Sequence, residues 1–183
     1  MLSNARLLAS LDMLEYYFGK VTNPPAPPAK PEPGQPSQFC KYAALELCGW
    51  IEEAQDHIAG LFAASLKTVE CKSRLTELIE KNYGFDMYQN FMPMMAFVIG
   101  MERYDLLISD LRSPGSPFYI LESTIQSNQY KKLRNTHAHT HFNEAEVKKL
   151  THLNSPAVVK KHAECIYKGF DVLVSELKIR NLL

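Results

Sequence analysis

The chain has 183 residues, of which 46% are apolar, and its 20 Lys and Arg balance 20 Asp and Glu. That length supports one domain with a substantial core, residues 1–183, and leaves little room for two. Formal neutrality excludes indiscriminate coating of nucleic acid by a basic surface, so any nucleic-acid role has to be local.

Cys40, Cys48, Cys71 and Cys165 form no CxxC pair, which excludes a zinc ribbon or a dense disulfide framework. All four are expected to be reduced, buried, small side chains, as in a cytoplasmic protein. The first twenty residues, MLSNARLLASLDMLEYYFGK, alternate polar and apolar residues at helical spacing and lack a signal-peptide core. The longest apolar run, FMPMMAFVIGM, contains a proline and is too short to span a bilayer. A soluble chain with no membrane partner is the expectation.

Leu7, Leu11, Leu14 and Phe18 recur at steps of four and three, which predicts a first helix over about Ser3 to Lys20. Asn23 to Gln38, NPPAPPAKPEPGQPSQ, is rich in prolines that fix φ and remove donors, so it reads as an extended loop. A long helix follows from about Phe39 to Ser65. Its core stripe runs through Ala43, Leu47, Trp50, Ile51, Ala54, Ile58, Leu61 and Phe62, and its outer face carries Glu46, Glu52, Glu53, Gln55 and Asp56.

A shorter helix is expected from Thr68 to about Lys81, closed near Gly84. Another runs from Met87 or Asn90 to Leu111, with Pro93 in its first turn. Met92, Met94, Met95 and Met101 could form a soft binding surface, although core filling is the commoner use of methionine. Ser113 to Pro117 mark a turn. Beyond it a helical pattern through Ile120, Ile125 and Leu133 continues into the histidine-rich segment. Ser155 and Pro156 open a last helix with Val159, Ala163, Ile166, Phe170, Leu173 and Leu177 on one stripe. No stretch alternates at period two. The expected fold is all-α, a bundle of five to six helices with a proline-rich loop after the first.

Residues 131–142 read KKLRNTHAHTHF and hold three of the six histidines, with no carboxylate between Glu122 and Glu144. On a helix, Arg134, His137 and His141 share one face, and Asn135 and His139 share another about 100° away. Three readings compete for this segment. Alternating histidines could ligate zinc, with His152 or His162 as further donors, yet Lys131, Lys132 and Arg134 oppose a divalent cation and no carboxylate or thiolate lies nearby. Metal-free RNA cleavage needs a base for the 2′-OH proton, an acid for the 5′-oxygen and a cation for the phosphorane. Histidine and arginine supply those functions at neutral pH. The third reading is a solvated basic helix end.

The run Arg134, Asn135, Thr136, His137, Ala138, His139 fits R-N-x-x-x-H, and LRNTHAH resembles the LRNxxAH core of the HEPN superfamily. These are all-helical domains, many of them ribonucleases. The stretch AALELCGWIEEA is similar, more loosely, to HEPN-like nucleases of bacterial defence and toxin systems. The resemblance implies a metal-independent, cofactor-free endoribonuclease. It would act as a homodimer and leave a 2′,3′-cyclic phosphate, with an antitoxin or other regulatory protein as a further partner.

Carried onto this chain, the resemblance gives Arg134 the scissile phosphate, His139 the general acid or base function, and Asn135 the orientation of His139 or substrate. Lys131, Lys132, His137 and His141, with Lys148 and Lys149 nearby, would contact the RNA. Arg134 and His139 do not share a face of one ideal helix, and a twofold axis would let one chain's Arg134 approach its partner's His139. Some HEPN domains are instead non-catalytic modules that bind RNA, nucleotide or a partner protein. His137, His141 and the proline-rich loop lie outside the family pattern, so either histidine could also be an auxiliary proton carrier or, as the simplest expectation, an exposed side chain.

Overall fold

The computed structural model describes residues 2–23, 35–137 and 154–183, with the side chains of 128, 129 and 135–137 outside that description. The described residues are all-α, without a strand. Eight α-helices cover them: α1 Ala5–Thr22, α2 Gln35–Gly60, α3 Val69–Glu80, α4 Met92–Ile99, α5 Met101–Leu111, α6 Pro117–Gln126, α7 Asn128–His137 and α8 Pro156–Ile179. None of these helices is long and apolar enough to cross a membrane.

Eight helices exceed the five to six expected because two predicted helices are each split. Gly100 interrupts the run from Met92 to Leu111 with φ of 89°, a value that L side chains rarely adopt. Ser127 separates α6 from α7. The proline-rich segment also ends earlier than expected, since α2 begins at Gln35 and carries Pro36 in its first turn, where proline lacks only an amide that has no helical partner. Residues 24–34 of the predicted loop lie outside the described residues.

The chain divides into two compact units. In one, the described residues are Leu2, Ile51–Ser127 and Cys165–Leu183. Thr68 caps α3, accepting from the Cys71 amide, and a single π turn, Met87–Phe91, leads into α4. The Asp86 side chain receives the Tyr88 and Gln89 amides at 2.9 Å and so starts that turn. Pro93 lies in the first turn of α4, as its missing amide predicts. Ser116 caps α6 through the Tyr119 amide, with Pro117 next.

The core of this unit includes Ile58, Phe62, Leu75, Phe91, Met95, Leu107, Phe118 and Leu121. Phe91 meets Phe170 edge to face, 6.0 Å between centroids, and each buried ring contributes about 1.5–3 kcal/mol of hydrophobic stabilisation.

Three sequence expectations need correction in this unit. Gln55, assigned to the solvated face of α2, is fully buried because its Nε2 donates to the Phe85 carbonyl at 2.9 Å and pins the segment before the π turn. Gly84 does not close α3 in the left-handed region. The helix stops at Lys81, and Gly84 is instead a close-approach site, where a Cβ would stand 2.8 Å from Asn90 Oδ1. Cys71 is exposed on α3, and Cys165 is half-buried, so only Cys40 and Cys48 are core thiols. No disulfide joins the four.

In the other unit, Ser3–Trp50 and Asn128–Glu164, Leu7, Leu11 and Leu14 of α1 are buried, as are Ala43, Leu47 and Trp50 of α2. The Trp50 indole donates to the Ser3 carbonyl at 3.0 Å, and Tyr17 stacks with Phe39. Both contacts fix α1 against α2, and an ion pair from Lys160 to Asp12 ties α8 to α1.

Candidate functional site

Helix α7, Asn128–His137, carries the basic half of the predicted motif. Its sequence NQYKKLRNTH has one large aromatic residue, and that residue anchors it. Tyr130 is 1% exposed, and its hydroxyl lies 2.5 Å from His162 Nδ1 on α8. The two rings meet at 86° with centroids 5.7 Å apart, an edge-to-face arrangement. The Asn154 side chain also hydrogen-bonds the phenol, and Cys48 of α2 donates its thiol to the Tyr130 carbonyl at 3.8 Å.

Electrostatics fixes the charge state of this contact. Burial pushes the Tyr130 phenol well above its usual range, although the Asn154 bond opposes that shift. Burial likewise lowers the His162 imidazolium below its ordinary pKa. Both groups are therefore neutral at pH 7, and the tautomer of His162 decides which of the two donates.

Helical register places the remaining residues relative to this anchor. Arg134 follows Tyr130 at i+4, on the same side of α7, and is half-buried. Lys132 is exposed, two positions and about 200° from Tyr130, and Lys131 is half-buried. The helix thus presents its lysines away from the anchor's direction and Arg134 along it. Asn135 and His137 are α7 residues, at register positions i+1 and i+3 from Arg134. His139 and His141, together with Lys148, Lys149 and His152, lie outside the described residues.

The structure therefore brings Lys131, Lys132, Arg134, Asn135 and His137 onto one helix and says nothing of His139. Sequence reasoning missed Tyr130 as the residue that orients this helix. Its signal was present, since Tyr130 and Leu133 are the only large apolar residues of α7 and stand at i and i+3. His162 gave no such signal. It adjoins the buried Ala163 and is paired with Tyr130 only by the tertiary fold.

No family model, curated protein or solved structure matches the chain.

Proposed function

We propose that the chain is a metal-independent endoribonuclease of HEPN type that works as a cytoplasmic homodimer in a toxin–antitoxin or antiviral defence setting. The observation that carries the reading is LRNTHAH, residues 133–139, within an all-α chain. Two features support it. Lys131, Lys132 and Arg134 share one helix, α7, and the buried Tyr130 holds that helix at a defined rotation.

In this reading Arg134 grips the non-bridging oxygens of the scissile phosphate and stabilises the charge that grows on the phosphorane. His139 transfers protons, taking one from the attacking 2′-OH or delivering one to the departing 5′-oxygen. Its counterpart in the partner subunit supplies the complementary step. The 2′-oxygen forms a bond to phosphorus as the bond to the 5′-oxygen breaks, giving a 2′,3′-cyclic phosphate and a 5′-hydroxyl. Asn135 orients His139 or the substrate, and Lys131, Lys132, His137 and His141 contact the phosphate chain. Overall neutrality favours a particular presented RNA over bulk RNA, and an antitoxin-like partner would restrain the activity.

The test is cleavage by Arg134→Ala and His139→Ala beside the unaltered protein, with folding checked by circular dichroism. Both variants are expected to lose cleavage and keep the helical spectrum, with His137→Ala much less affected. Retained activity in Arg134→Ala or His139→Ala defeats the assignment, and a loss in His137→Ala as deep as in His139→Ala transfers the acid–base role to His137.

A further inference from the structure

The four methionines of the apolar run divide between two uses. Met94 and Met95 are core, at 2% and 0% exposure, whereas Met101 is 61% exposed and Met92 half-buried. The outward pair lines a cavity of about 520 Å³ formed by the π turn, α4 and α5, within a single compact unit. That size falls in the range of small-ligand sites, roughly 300–1,000 Å³. Tyr88 and Ile108 complete its apolar wall.

The polar groups of this cavity are few and distinct. Tyr104 lines it with a side chain that is 4% exposed, and its hydroxyl has no hydrogen-bond partner among the described residues. That oxygen is not one of the enclosed polar atoms left without a partner, so it opens to the cavity. Burial also holds Tyr104 far above the usual phenol range, so its hydroxyl is a neutral donor and acceptor at pH 7.

Arg112 stands beside it, with its guanidinium 5.8 Å from the Tyr88 ring centroid. Its charge is already answered by Glu122, which accepts from Nε at 2.9 Å and from Nη2 at 2.5 Å. The exposed Glu102 and Asp105 add two carboxylates to the lining without a basic side chain to match them. With Arg112 paired to Glu122, Glu102 and Asp105 remain as the excess charge of the lining, which favours a cation. Gly100, with φ of 89°, sets the corner between α4 and α5 that turns Met101, Glu102 and Asp105 to the cavity.

We infer that this cavity binds an organic cation on an apolar body, with its hydrocarbon or ring among Met92, Met101, Ile108 and Tyr88, its ammonium or guanidinium at Glu102 and Asp105, and a polar atom on the Tyr104 hydroxyl. The site owes nothing to α7 or to the ribonuclease reading. Its ligand chemistry has two sources, a free amine or a Lys or Arg side chain beside an apolar residue in a peptide.

The experiment is saturation-transfer NMR and calorimetric titration of the full chain with three probes: 2-phenylethylamine, the matching acid 3-phenylpropionate, and a blocked Phe-Lys dipeptide. The amine and the dipeptide are expected to bind about tenfold or more tightly than the acid, a difference of about 1.4 kcal/mol. Tighter binding of the amine identifies a small-molecule ligand, and tighter binding of the dipeptide a peptide one. In the Glu102→Gln, Asp105→Asn double variant, whose changes are exposed, that preference disappears. Tyr104→Phe, which removes only a hydroxyl, weakens the dipeptide, whose amides supply the polar atom, by about three- to tenfold and leaves the amine unchanged. Equal binding of amine and acid, absence of binding at millimolar concentration, or binding unchanged in both variants overturns the proposal.

Discussion

The Tyr130 hydroxyl hydrogen-bonds Nδ1 of His162 at 2.5 Å, a contact between residues 32 positions apart that fixes the rotation of α7 about its own axis. Everything assigned to Lys131, Lys132 and Arg134 depends on that rotation. Tyr130→Phe removes the hydroxyl and leaves His162 Nδ1 and Asn154 without their partner. It is expected to cost about 1–2 kcal/mol, measured by urea unfolding. Combining it with His162→Ala should cost less than the sum of the single changes, since both break one interaction. Strict additivity would mean that the contact contributes nothing.

His162 also makes stability pH-dependent. Burial lowers its folded-state pKa below the ordinary 6.5, so the unfolded chain binds this proton more readily than the folded one. The favourable difference is present above about pH 6.5 and is lost as pH falls below it. Thermal midpoints between pH 7.5 and 5 should therefore drop more steeply for the unaltered protein than for His162→Gln. Parallel curves would show that the imidazole is solvated in both states.

The ion pair of Arg112 and Glu122 is asymmetric, because the carboxylate side chain is 11% exposed and the guanidinium 38%. Arg112→Ala leaves a nearly buried carboxylate unpaired, whereas Glu122→Ala leaves a cation that reaches solvent. The first change should cost about 1–3 kcal/mol and the second clearly less. Equal costs measured in denaturant would contradict this account of the pair.

Gly169 sits where α8 meets α6. A Cβ there would stand 2.4 Å from Leu121 Cβ and 2.7 Å from the Pro117 carbonyl oxygen, and neither atom belongs to the far end of a flexible side chain. Gly169→Ala should destabilise by about 1–3 kcal/mol through overpacking, although alanine is the better helix former. A gain in melting temperature would mean that this helix pair separates without cost.

Much of the fold was legible because one-sided helices announce themselves. All six predicted stripe residues of α8, from Val159 to Leu177, are fully buried, and Pro93, Ser116 and Pro117 stand at helix starts as their chemistry requires. The break at Gly100 was hidden because apolar residues continue on both sides of it, so periodicity alone joined α4 to α5. Gln55 was misplaced because an amide reads as solvated until a backbone carbonyl is found to receive it. In the candidate site, the basic residues of α7 were visible as a cluster. Tyr130 was marked as an anchor by standing with Leu133 as the only large apolar residues of α7, but its partner His162, 32 residues away, left no local trace.

The central claim is that RNA is cut without metal at residues 133–139. It is tested most directly by incubating the purified protein with mixed transfer and messenger RNA in EDTA, and identifying the chemical ends of the fragments. The account predicts 2′,3′-cyclic phosphate and 5′-hydroxyl ends that vanish in His139→Ala. Cleavage that EDTA abolishes, or fragments with 3′-hydroxyl and 5′-phosphate ends, would contradict it.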